Sequence, residues 1–133
     1  MSELKHKSKL NLLASKLLIE EKYYPSSIHC SYYSCFQILK YIINYFFGIE
    51  YDDIQNSIGK SKTTSHEDII EFVFTEFEKL KIPEPKRFKR KIKDLKKLRI
   101  KADYDNIAIT QDESENAYKL AIEFTEFINK NIQ

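Results

Sequence analysis

Apolar residues recur at steps of three and four along most of the chain, and this period predicts helices. Leu10, Leu13, Ala14, Leu17 and Leu18 mark the inner stripe of a first amphipathic helix from about Glu3 to Lys22, with Pro25 closing the connection after it. A second helix is predicted to start at Ser26 or Ser27, where a serine hydroxyl caps free backbone N–H groups, and to stop at Gly48, which takes the left-handed C′ position without strain. Ile28, Tyr32, Cys35, Phe36, Leu39, Ile42, Ile43 and Phe46 fill one face of it, and Ile38, Tyr45 and Phe47 widen that face. Such a broad apolar surface is expected at the centre of the fold.

Tyr51, Ile54 and Ile58 predict a short helix closed by Gly59, followed by a polar loop from Gly59 to Thr64. Ser65 and Asp68 have capping-box spacing ahead of a helix to about Leu80, with Ile69, Val73, Phe77 and Leu80 facing inward. Ile82-Pro83-Glu84-Pro85 breaks the pattern, and a basic helix follows from about Lys86 to Tyr104. A second capping box, Thr110 to Glu113, opens a last helix carrying Ala117, Leu120, Ala121, Phe124, Phe127 and Ile128. The expected architecture is all-α, an antiparallel up-and-down bundle of about five helices forming one domain over residues 1–133.

Composition supports this reading: two glycines and three prolines in 133 residues are too few for the turns of a β-sandwich or barrel, or for a Gly-rich phosphate loop. The longest apolar run, Tyr41 to Ile49, is too short to span a bilayer, and the start, Met1 to Lys7, lacks the apolar stretch of a signal peptide. A cytoplasmic protein with no membrane partner is expected. Cys30 and Cys35, five apart on a helix, point to different sides and suit neither a disulfide nor a zinc pair. The 22 Lys+Arg nearly balance the 20 Asp+Glu, so any charged partner must be recognised by a local patch.

That patch lies on the basic helix. Phe88, Ile92, Leu95 and Ala102 mark its buried stripe, and Arg99 falls on the same side, with Asp103 four residues on and able to meet its guanidinium. An internal ion pair that fixes helix register explains the pair without function. Alternatively Arg99 floors a cleft and presents parallel N–H donors to a phosphate, with the Tyr104 hydroxyl beside it. Lys89, Lys93 and Lys97 project away from the stripe, where they either contact a nucleic-acid backbone or form a solvated face balanced by acids such as Glu67, Asp68, Glu71, Glu76 and Glu78. His29 and His66 flank apolar stripes, each a core histidine or a general acid/base facing Arg99. No metal-ligand spacing, serine-nucleophile motif or P-loop is present, and neither a metal nor a cofactor is expected.

Three segments together resemble the HEPN domains of prokaryotes, in the branch whose motif is Arg-x-x-Ala-Asp-Tyr. Arg99-Ile100-Lys101-Ala102-Asp103-Tyr104 carries that motif, Ser27 to Phe36 is similar to the family's small-residue and Tyr-Tyr-x-x-Phe pattern, and Thr64-Ser65-His66 with Ile70 and Phe72 is similar to its Ser-His segment. The resemblance implies a helical bundle that often forms a homodimer around a shared cleft. It implies metal-independent ribonuclease activity in toxin-antitoxin or defence systems, frequently beside a nucleotidyltransferase antitoxin. Active members carry an Arg and a His separated by four to six residues, whereas Tyr104, Asp105 and Asn106 stand where that His would fall here. The resemblance thus carries over Arg99, Asp103 and Tyr104, with His66 or His29 left to supply the missing proton transfer. The rival expectation is a non-catalytic module that binds a nucleotide or a nucleotidyltransferase. Tyr24, Tyr41, Tyr45 and Phe47 are candidates for the contact with a second subunit.

Overall fold

A computed structural model describes residues 2–50, 53 and 66–132. Five helices stand among them: α1 (Glu3–Glu20), α2 (Tyr24–Phe47), α3 (His66–Lys79), α4 (Pro85–Tyr104) and α5 (Gln111–Asn131). The predicted short helix from Tyr51, the loop from Gly59 to Thr64 and the Ser65 cap lie outside the described residues.

α2 is the spine, as its broad apolar surface predicts. Ile28, Tyr32, Cys35, Leu39, Ile42 and Ile43 are fully buried, and Gly48 closes the helix in the left-handed conformation at φ 72°. Its start differs from expectation: the helix begins at Tyr24 with Pro25 in its first turn, and no side chain caps it. Ser27 is buried inside the bundle, where its hydroxyl meets those of Ser15 (3.0 Å) and Ser114 (3.0 Å). Proline tolerates the first helical turn because it lacks only an N–H that has no partner there.

α1 runs antiparallel to α2, but not on the leucines predicted to face inward; Leu4 and Leu12 are the ones packed against the core. Ser8 and Ser15 are the buried residues of α1, while Leu10, Leu13 and Leu17 are 50%, 61% and 61% exposed. The Ser15 hydroxyl lies 2.6 Å from that of Ser31, and Ser8 donates to the Ser34 carbonyl at 2.7 Å. Ser27, Ser31 and Ser34 give α2 a face of small residues, and α1 answers with two of its own. Branched side chains at this contact would overpack it. Of the predicted stripe, Leu10, Leu13 and Leu17 therefore face outward while Ala14 and Leu18 are partly buried, and the serine face is the one that packs.

α4 lies antiparallel to α2, α3 and α5. Phe88, Ile92 and Leu95 are buried as predicted, and the Phe88 ring stacks on Phe127 at 4.3 Å between centroids. α3 buries Ile69, Ile70, Val73, Phe74 and Phe77, while Leu80, expected inside, is half exposed. α5 begins with the predicted capping box: Thr110 accepts from the Glu113 N–H, and Glu113 accepts from the Thr110 N–H. Cys30 and Cys35 are free thiols, the second buried and pushed up to about 12 by its burial. No helix among the described residues is long and apolar enough to cross a membrane.

Candidate active site around Arg99

Helical spacing along α4 places Arg99 one turn past Leu95 on the core-facing side, and the residue is only 8% exposed. Its guanidinium carbon sits over the rings of Tyr32 and Tyr33, 5.3 and 5.4 Å from their centroids, and 5.9 Å from that of Tyr104. These electron-rich faces make a seat for a permanent cation. Nη1 points to Asp103 Oδ2 at 3.4 Å, a long contact, and the buried Nε has no hydrogen-bond partner among the described residues. A donor left unpaired in the interior costs about 1–3 kcal/mol, so Arg99 is not placed here by stability alone.

Asp103 Oδ2 has a second and closer neighbour, His29 Nδ1 of α2 at 2.8 Å. The carboxylate side chain is largely covered, while that of His29 is 47% exposed. A histidine whose Nδ1–H donates to a carboxylate holds Nε2 as the free acceptor, and here the ring opens to solvent. Tyr104, 74% exposed, stands on the same rim. Asp103 thus ties an accessible imidazole to a buried guanidinium.

His66 enters from α3 on the far side of Tyr32. Its Nδ1 shares a hydrogen bond with the Tyr32 hydroxyl at 2.8 Å, and its ring stacks on Phe36 at 4.0 Å. Burial, then the charges of Arg99, Lys96 and Lys40, push His66 down to about 4. Burial likewise raises the Tyr32 hydroxyl, with Arg99 opposing. His66 is therefore a neutral, partly buried histidine that supports Tyr32, and Tyr32 in turn supports Arg99.

The basic face of α4 meets the acids of α3. Lys93 pairs with Glu67 at 2.9 Å and with Glu71, Lys89 pairs with Glu71, and Lys96 pairs with Glu67 at 3.3 Å. These bonds hold both carboxylates below their ordinary range, Lys93 acting first on Glu67 and Lys89 first on Glu71. Lys97 is exposed and makes no ion pair among the described residues. Of the three lysines expected to face nucleic acid, two are thus held by carboxylates.

Arg99, Asp103 and Tyr104 come together as the sequence motif predicts, and His66 stands behind them, against the Tyr32 and Tyr33 rings that seat Arg99. His29, one of two histidines the sequence leaves open, is the one on Asp103. The seat formed by Tyr32 and Tyr33 goes unread in the sequence, although His29, Tyr32 and Tyr33 share a helix face at i, i+3 and i+4. Among the described residues no group of three or more His, Cys, Asp or Glu side chains is placed to hold a metal ion.

Residues 1–132 match the family model described as the HEPN domain. The chain belongs to the HEPN domain family. No curated protein and no solved structure matches it. HEPN domains often occur in ribonucleases and in toxin-antitoxin and defence systems. In this HEPN domain the Arg99 cluster lies where α2 and α4 face each other, closed on the inside by aromatic rings and open at His29 and Tyr104.

Proposed function

We propose that this HEPN domain binds RNA at Arg99 and cleaves it by attack of a ribose 2′-hydroxyl, as the effector of a prokaryotic toxin-antitoxin or defence system. The observation that carries the reading is the carboxylate of Asp103 shared between His29 at 2.8 Å and Arg99 at 3.4 Å. Such cleavage needs a proton acceptor beside a group that stabilises charge on phosphorus. His29 Nε2 takes the 2′-hydroxyl proton while Asp103 holds the ring and steadies the imidazolium. Arg99 faces the phosphoryl oxygens with a charge that solvent does not screen. The 2′-oxygen bonds to phosphorus, the bond to the 5′-oxygen breaks, and that oxygen takes a proton from water as His29 returns its own to solvent. The products are a 2′,3′-cyclic phosphate and a 5′-hydroxyl.

The test is degradation of RNA by the purified chain with a chelator present, compared with His29→Gln and Arg99→Met. Loss of cleavage in both variants at unchanged helicity supports the reading, and a 2′,3′-cyclic end identifies the route. Cleavage that survives His29→Gln overturns the role of His29. One observation favours a second reading, a non-catalytic module that binds a nucleotide or a nucleotidyltransferase antitoxin. The pairing of Lys89 and Lys93 with Glu71 and Glu67 leaves less free positive charge for a long RNA. Intact RNA together with nucleotide binding that Arg99→Met abolishes selects that reading.

A further inference from the structure

Charge is not symmetric about Arg99. Toward the C-terminal end of α4 stand the carboxylates of Asp103 and of exposed Asp105, and toward the other end stand lysines. Asp103 meets His29 while Arg99 meets Tyr33, so one travels backward along α4 and forward along α2 to reach the same place. Lys96 lies one turn back from Arg99, with its side chain 24% exposed. Phe36 and Lys40 continue the face of α2 on which Tyr33 seats Arg99, three and seven residues on.

His66 marks where these two lines meet. Its ring stacks on Phe36 at 4.0 Å, and Glu67, next to it in the chain, pairs with Lys96 at 3.3 Å. The charges of Arg99, Lys96 and Lys40 all act on the imidazole, so three cations gather about one uncharged ring. Lys93 also holds Glu67, at 2.9 Å, and this carboxylate keeps a partner when Lys96 turns away from it. Lys40 is partly exposed and makes no ion pair among the described residues.

We propose that Lys40 and Lys96 form a second phosphate subsite beside Arg99, which holds the phosphate on the 3′ side of the bond that is cut. The polarity rests on the ribonuclease reading given above. The 2′-hydroxyl whose proton His29 takes belongs to the nucleotide on the 5′ side, and His29 stands with Asp103 on the acidic flank. The strand therefore continues, 3′ of the cut, past Lys96 and toward Lys40. Lys40 stands about 10 Å beyond Tyr33 along the axis of α2, within reach of a strand that leaves Arg99 in that direction. A phosphate on the 5′ flank meets Asp103 and Asp105 instead, and like charges repel.

Binding of three dinucleotides to the full chain tests this: one without a terminal phosphate, one with a 3′-terminal phosphate and one with a 5′-terminal phosphate. Each carries hydrogen in place of the first 2′-hydroxyl, so none is cut. The 3′-phosphate is expected to tighten binding on the order of tenfold, less so as salt rises, and the 5′-phosphate to add little. In Lys40→Met the gain from the 3′-phosphate is expected to disappear. The imidazole resonances of His66 are expected to move with the 3′-phosphate and not with the 5′-phosphate. No gain from the 3′-phosphate, or a gain that Lys40→Met leaves intact, overturns the subsite. An equal or larger gain from the 5′-phosphate overturns the polarity. A nucleoside triphosphate that binds more tightly than all three, through Lys40, overturns the assignment to an RNA strand. Uncut RNA in the cleavage assay, with the 3′ gain present, removes the ribonuclease reading and leaves the subsite standing.

Discussion

Replacing Arg99 by methionine separates a charge kept for its chemistry from a side chain kept for its bulk. Methionine fills nearly the same space without the guanidinium. What is lost is the attraction to the Tyr32 and Tyr33 rings, roughly 1–2 kcal/mol, and a long contact to Asp103 of about 1 kcal/mol or less. What is relieved is the buried, unpartnered Nε, whose cost is about 1–3 kcal/mol. The terms nearly cancel, so Arg99→Met should lie within about 2 kcal/mol of wild type, in line with apolar replacements of other buried ion pairs. Arg99→Ala adds a cavity on top of these terms and should be less stable than Arg99→Met by a further 2–3 kcal/mol or so. At roughly 3–5 °C per kcal/mol for a chain of this size, thermal melts resolve the two variants. RNA turnover should fall by about 10²–10³ in both, the usual effect of removing one transition-state contact. Two results refute the reasoning: a methionine variant as unstable as the alanine one, or one that keeps wild-type turnover.

His66, pushed down to about 4 from its ordinary 6.5, stays neutral in the fold at pH values where the unfolded chain protonates it. The unfolded state therefore binds the extra proton, and stability, full above about pH 6.5, falls as pH drops toward 4. Urea unfolding over that range should show a decline that His66→Gln removes. Ser15→Ala deprives Ser27 and Ser31 of a buried partner and should cost about 1–3 kcal/mol in urea unfolding, and Ser15→Leu more, through overpacking. Equal stability of the three chains would mean that the serine contact does not hold α1. Glu71→Gln releases Lys89 and leaves Lys93 paired with Glu67, so RNA affinity should rise and its salt dependence steepen, and an unchanged slope in a salt titration would exclude Lys89 from contact.

The helices from α2 onward are legible because apolar period and end signals agree, as at Gly48 and at the capping box of Thr110 and Glu113. The orientation of α1 is not, because hydrophobicity ranks its leucines above its serines. The deciding signal is a match between two segments, Ser8 and Ser15 against Ser27, Ser31 and Ser34, and it appears only once the helices are paired. The site divides the same way. Arg99 and Asp103 are one turn apart and can be read together, whereas His29 lies 74 residues from Asp103 and meets it only across the packed helices. The fate of Lys89 and Lys93 also depends on α3 running antiparallel to α4, which brings Glu71 and Glu67 to them in reverse order.

The serine contact also sets the order in which the molecule comes apart. Detaching α1 uncovers buried hydroxyls, which water satisfies at once, and the partly buried Leu4 and Leu12, whereas separating α2 from α4 strips the fully buried Tyr32 ring from the Arg99 guanidinium. Opening of α1 is thus the cheaper excursion, and its amides should exchange with deuterium well ahead of those of α2, through a partly open form that keeps the Arg99 rim assembled.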